Sequence, residues 1–164
     1  MVGVAGRDGT RDLREAWNRF RATRGRPLES VAVAEVMSMP VRTVHCTDTL
    51  WQALTVFVTE ELRHLVVVDE RDRYAGTVSD RGVALAWPAD PVALRLRPVR
   101  DVVDACESVT PDCAVDRAAQ VMWWRRLEAL PVVDGDGTVH GIVTDTDLAG
   151  LVAARGTGGE LHGL

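Results

Sequence analysis

The sequence predicts a mixed α/β (α+β) fold: a tandem pair of β-α-β-β-α repeats packed sheet to sheet, with an N-terminal helix in front. Three observations predict it. Shifting the chain by 65 residues aligns 41–85 with 106–150 without a gap, and twelve of the 45 pairs are identical. "LRHLVVVDERDRYAGTVSD" falls on "LEALPVVDGDGTVHGIVTD". Within each copy, apolar residues at helical spacing give way to β-branched runs. Finally, a unit of about 55 residues buries too little surface to be stable alone, so two copies should share a core.

The elements follow in the same order in both copies. A short extended piece, "RTVH" (42–45) or "ESVT" (107–110), precedes the turn residues "CTD" and "PDC". Leu50, Ala53, Leu54, Phe57 and Val58 then mark one helix face, and Val115, Ala118, Ala119, Met122 and Trp123 mark its counterpart. "LVVVD" and "LPVVD" read as buried strands. "ERDR" and "GDGT" supply a hairpin turn, and "YAGTVS" and "VHGIVT" return as second strands. Closing helices start near Asp80 and Asp145. Upstream, "VAEVM" (33–37) matches "VRDVV" (99–103). The expected organisation is an N-terminal segment 1–30, repeats at 31–87 and 99–153, a proline-bearing linker 88–98 and a frayed tail 154–164.

Bulk properties exclude several classes. A net charge of −5 argues against non-specific nucleic-acid binding. The three cysteines, Cys46, Cys106 and Cys113, are odd in number and form no CxxC pair, which fits a reduced, cytoplasmic setting. No apolar run of 18 residues or signal-peptide core is present, so no membrane span is expected. The four histidines lack metal-ligand spacing, and "DGDG" reads as a hairpin turn. No catalytic constellation is evident from spacing, and the chain is not expected to be an enzyme. Charge is uneven: residues 1–30 carry seven Arg against four acids, +3, leaving −8 elsewhere. There, Leu13, Ala16, Trp17 and Phe20 share one face of a basic helix, expected to dock on its own domain or a second subunit. Trp123 and Trp124 suit core or dimer-interface packing better than base stacking.

"VAEVM…TVHCTDTLWQAL…LRHLVVVD…YAGTVSD" and "VRDVV…SVTPDCAVDRAA…LEALPVVDGDG…HGIVTDTDL" resemble two cystathionine-β-synthase-type (CBS) domains, together a Bateman module, over residues 31–153. The resemblance implies a regulatory module that binds an adenosine-containing ligand, AMP, ADP, ATP or S-adenosylmethionine, between the repeats. It also implies a disc-like homodimer acting on an unknown regulated protein.

Two readings of Thr144 and Asp147 stand side by side. A Thr at a helix start accepts a backbone N–H three residues on, and an acid there faces the positive helix end. The same carboxylate suits a ribose diol, and the same N-terminus suits a phosphate. The resemblance implies the second role for Thr144 and Asp147, with Arg63 and His64 of the other repeat near the phosphates. It also implies an adenine pocket near Met37, Arg42, Leu62 and Ile142. The mirrored site has Gly82 for the acid and Glu128-Ala129 for the Arg-His pair, so one competent site per chain is expected. The alternative is an assembly module that dimerises and has no physiological ligand.

Overall fold

The computed structural model describes residues 9–87, 91–105 and 107–156. Residues 1–8 of the expected N-terminal segment, Cys106, the start of the linker with Pro88 at 88–90 and the expected tail from 157 onward lie outside the described residues. The first helix, α1 (Gly9–Ala22), precedes two α/β units. The first unit runs β1 (Thr43–His45), α2 (Leu50–Glu60), β2 (His64–Val68), β3 (Tyr74–Ser79) and α3 (Asp80–Leu85). The second runs α4 (Val115–Arg125), β4 (Ala129–Val133), β5 (Val139–Thr144) and α5 (Asp145–Arg155).

In the first sheet β1 pairs parallel to β2, and β2 pairs antiparallel to β3 with His64 opposite Ser79. In the second, β4 pairs antiparallel to β5 with Ala129 opposite Thr144, the same register. The expected strand at 107–110 is reduced to one parallel bridge, Val109 to Val132. Pro131 explains the difference. In the first repeat Val66 N–H donates to the Arg42 carbonyl at 3.2 Å; its counterpart Pro131 has no N–H to give, so one rung of that ladder cannot form.

The hairpin turns are built alike. Asp69 Oδ1 accepts from the N–H of Arg71 and Arg73, and Asp134 Oδ1 accepts from those of Asp136 and Thr138. This Asx arrangement accounts for "DGDG" as a turn. The two turns meet, with Tyr74 N–H donating to the Gly137 carbonyl at 2.9 Å.

The repeats interlock through their leading segments. Val33, Val36 and Met37 are buried with Val115, Met122, Leu130 and Val143 of the second unit. Val99, Val102 and Val103 pack with Leu50, Phe57, Leu65 and Val78 of the first. Ser38 bridges to Ile142 and Asp104 to Thr77, so each segment adds to the edge of the other repeat's sheet. Glycine permits the approach: a Cβ on Gly76 would sit 2.7 Å from the Asp104 carbonyl oxygen, and one on Gly141 would sit 2.5 Å from Met37 Sδ. A third cluster, Val66, Ala129 and Ile142, joins the two sheets.

Two face assignments differ, each by two residues along its helix. Val58 is 69% exposed and Trp123 78% exposed; Val56 and Val121 pack in their place, against Leu50–Phe57 and Val115–Met122 respectively. Trp123 and its neighbour Trp124, 80% exposed, therefore stand outside the core of this chain. On α1, Phe20 is buried and Ala16 and Trp17 pack beside it against the second unit, as the helix pattern predicts. Leu13, expected on the same face, is 69% exposed. Burying Phe20 contributes about 1.5–3 kcal/mol.

Candidate functional site

The strand-to-helix turn at the end of β5 is the centre of the site. Thr144 is the N-cap of α5, with extended backbone angles, and its Oγ1 accepts from Asp147 N–H at 3.2 Å. In return, the Thr144 N–H and hydroxyl both donate to Asp147 Oδ2 at 2.8 Å. Asp147 Oδ1 accepts from Ser38 Oγ at 2.9 Å, and the residue is only 7% exposed. A reciprocal capping box thus holds the carboxylate beside the positive end of a three-turn helix. Three donors occupy three of the roughly four acceptor positions of a carboxylate. A diol that takes Asp147 in two bonds must displace the Ser38 or Thr144 hydroxyl, both of which turn about a single bond.

The facing wall comes from the first repeat. The chain leaves α2 through Glu61, which has left-handed backbone angles, and enters β2 through Leu62, Arg63 and His64. The Asp80 N–H donates to the Arg63 carbonyl and the Asp145 N–H to the Glu128 carbonyl, so both helix starts are tied to the strand entries in the same way. Arg63 reaches across to Asp145 at 3.7 Å, and His64 Nε2 lies 3.7 Å from Glu128. Burial holds the His64 imidazole below its ordinary pKa, outweighing Glu128, which raises it. Burial thus favours the neutral imidazole at this position, while Glu128 opposes it.

Between the walls is a cleft of about 280 Å³, close to the lower bound of small-molecule sites at roughly 300 Å³. Seven of the eight expected residues line it: Arg42, Leu62, Arg63, His64, Ile142, Thr144 and Asp147. Met37 does not. It is buried in the core beneath Gly141, because the strand pairing of Ser38 with Ile142 turns its side chain inward. Ser38, Met39 and Val41 take its place along the cleft. Arg42 makes an ion pair with Glu60 at 2.5 Å while lining the same wall.

Sequence reasoning also missed α1, whose Ala16 and Arg19 line the cleft. Its amphipathic pattern predicts docking but does not encode the surface it docks on. Ser38 had a readable signal: it follows "VAEVM" in one copy where Asp104 follows "VRDVV" in the other.

The mirrored turn carries less. Ser79 Oγ accepts from Gly82 N–H at 3.0 Å and caps α3 without a carboxylate partner. Asp104 stands where Ser38 stands, Glu128 where Arg63 stands and the buried Ala129 where His64 stands.

Known proteins share this architecture. A curated relative, L-aspartate semialdehyde sulfurtransferase of Methanocaldococcus jannaschii, is 27% identical over 150 residues, 90% of this chain and 29% of that protein. The chain therefore spans less than a third of that relative. A solved acetoin utilization protein (AcuB) of Vibrio cholerae superposes with a TM-score of 0.67 at 27% identity, covering 75% of this chain and 90% of that one. A CBS domain pair solved in complex with 5-methylthioadenosine and S-adenosyl-L-methionine superposes at 0.65 with 25% identity, covering 74% and 99%. The CBS domain family model matches twice, at residues 33–88 and 98–154. With both halves matched and the interlocked sheets present, the chain belongs to the CBS domain family.

Proposed function

We propose that this chain is a regulatory CBS pair that binds an adenosine-containing ligand, AMP, ADP, ATP or S-adenosylmethionine, in the cleft between its repeats. One observation carries the reading: Asp147 is buried at the N-terminus of α5 in a cleft whose other wall is Arg63 and His64. A carboxylate for a ribose diol, helix N–H groups and an arginine fork are the chemistry that a nucleoside with an anionic tail requires. The related CBS pair bound to 5-methylthioadenosine and S-adenosyl-L-methionine supports the ligand class. The role is regulatory rather than catalytic, in a cytoplasmic setting. Among the described residues no helix is long and apolar enough to cross a membrane.

Such a ligand signals only if it binds two conformations unequally. Calorimetric titration with AMP, ATP and S-adenosylmethionine tests the reading. The expected result is saturable binding of at least one of them at one site per chain; no binding by any of the three removes the proposal, and two equivalent sites remove its asymmetry.

A second reading, assembly, draws on the surface of α4. Trp123 and Trp124 are exposed beside an open groove lined by Ala119, Leu127 and Leu148. Exposed aromatic pairs of this kind suit a partner surface, and we propose that a second copy of the chain covers them in a homodimer. Sedimentation velocity checks it. A dimer that dissociates when both tryptophans are changed to alanine is the expected outcome, and a wild-type monomer at high concentration rules it out.

A further inference from the structure

The cleft between the repeats has a third wall, and it comes from outside both of them. α1 precedes the matched segments 33–88 and 98–154, yet Glu15, Ala16 and Arg19 line the cleft together with Arg63, His64, Thr144 and Asp147.

The helix is held there by its C-terminal end and the turn that follows it. Phe20 packs on Gly150 of α5, where a Cβ would come within 2.7 Å of the ring. Arg155 Nη2 donates to the Thr23 carbonyl at 3.0 Å, and Arg24 Nη2 donates to the Gly156 carbonyl at 3.1 Å. Three anchors on α5 and its C-cap, Gly150, Arg155 and Gly156, fix Arg19 beside the clamp.

The charges of the cleft single out Arg19. Arg42 is paired with Glu60, and Arg63 is compensated by Asp145 at 3.7 Å. His64 is pushed toward its neutral form by burial. Arg19 makes no ion pair among the described residues, and its Nε is buried without a hydrogen-bond partner. Arg19 is therefore a cleft-lining cation whose charge no described carboxylate balances, which favours an anion beside it. Planar donors of this type match phosphate oxygens.

We propose that Arg19 is a ligand-binding residue that receives the phosphate of an adenosine monophosphate held by Thr144 and Asp147, an inference that rests on the nucleotide reading above. A monoester is favoured over a longer polyanion because Glu61 lines the same cleft and opposes further negative charge. α1 is accordingly part of the binding site, and the two repeats without it form an incomplete one.

Calorimetry on the full chain separates the possibilities, with AMP, ATP and uncharged adenosine as probes on wild type, Arg19→Gln, Arg19→Lys and Asp147→Ala. Arg19→Gln should weaken AMP about tenfold or more, the loss of one charge-assisted bond, and leave adenosine within about twofold. Arg19→Lys should recover part of the AMP affinity, and wild type should prefer AMP to ATP. Equal losses for AMP and adenosine in Arg19→Gln would assign Arg19 a structural role and overturn the proposal, as would unchanged AMP affinity. In both cases adenosine binding that is lost in Asp147→Ala keeps the ribose clamp standing. Wild type that binds none of the probes overturns the clamp and the Arg19 proposal together.

Discussion

The two strand-to-helix turns of this molecule start from the same chemistry and end differently. At Ser79 a hydroxyl caps α3, which is six residues long; at Thr144 a hydroxyl and the Asp147 carboxylate cap α5, which is eleven. The acid satisfies the N-cap amide, collects the Ser38 hydroxyl from the crossing segment and faces the cleft. Gly82 does none of this, and Asp104 replaces the donor that Ser38 would have been. The helix that received the acid also receives α1: Phe20 sits on Gly150, whose counterpart in the first repeat is Leu85, 80% exposed. Capping, helix length and ligand chemistry are therefore concentrated at one of two related positions. A capping residue and a binding residue are here the same side chain, so removing it tests both roles at once.

The largest effect is expected from Asp147→Ala. It leaves the Ser38 and Thr144 hydroxyls and the Thr144 N–H without their acceptor. The loss of stability should be on the order of 1–2 kcal/mol, as for other N-terminal capping groups. Adenosine-nucleotide affinity should fall by at least about tenfold, the equivalent of roughly 1.4 kcal/mol. Chemical denaturation and calorimetry read the two separately. A folded, destabilised variant with wild-type affinity would reduce Asp147 to a cap and make the two turns functionally alike.

Gly82→Asp probes the opposite turn, with a smaller effect. A carboxylate three residues after Ser79 completes the capping box and faces the positive end of α3. A Cβ at Gly82 would lie 3.2 Å from Ser79 Oγ, a hydroxyl able to turn aside. A stability gain of about 0.3–1 kcal/mol should appear in a thermal melt. No second binding site should appear, because Glu128 still places negative charge where a phosphate would lie, and Asp104 sets an acid beside the new carboxylate where the first site has the Ser38 hydroxyl. A stoichiometry of two ligands per chain in Gly82→Asp would mean that the acid alone separates the two turns.

Much of this arrangement is legible in the amino-acid sequence. The repeat offset fixes equivalent positions, and Thr144, Asp147, Arg63 and His64 do meet in one cleft. What the pattern could not supply is tertiary. Pro131 shortens a strand only because its missing N–H would have faced the partner carbonyl. Met37 turns inward because pairing of Ser38 with Ile142 fixes its neighbour's direction. Trp123 fits the helical period as well as Val121 does, and which of them faces inward depends on a rotation of α4 that periodicity leaves free. The seat of α1 depends on Gly150 and Arg155, more than 120 residues away in sequence.

The smallest expected effect concerns pH and again divides the two positions, since His64 titrates and its counterpart Ala129 does not. Burial is the main cause holding the folded-state pKa of His64 below its unfolded value of 6.5, with Arg63 acting in the same direction and Glu128, Asp80 and Asp145 opposing. Near and below 6.5 the unfolded chain therefore binds more protons at this site than the folded chain. The contribution of His64 to stability is complete above 6.5 and declines as pH falls toward the depressed folded value. His64→Gln should flatten this part of the stability-pH curve, measured by urea denaturation from about pH 5 to pH 7.5. Glu128→Gln should steepen it, because removing the opposing carboxylate lowers the histidine further. A bound phosphate acts in the other direction, favouring the imidazolium, so saturation with AMP should draw a proton onto the protein in that range. Proton uptake that persists in His64→Gln would move the titration to another group and leave Arg63 as the electrostatic contribution of the wall facing Thr144.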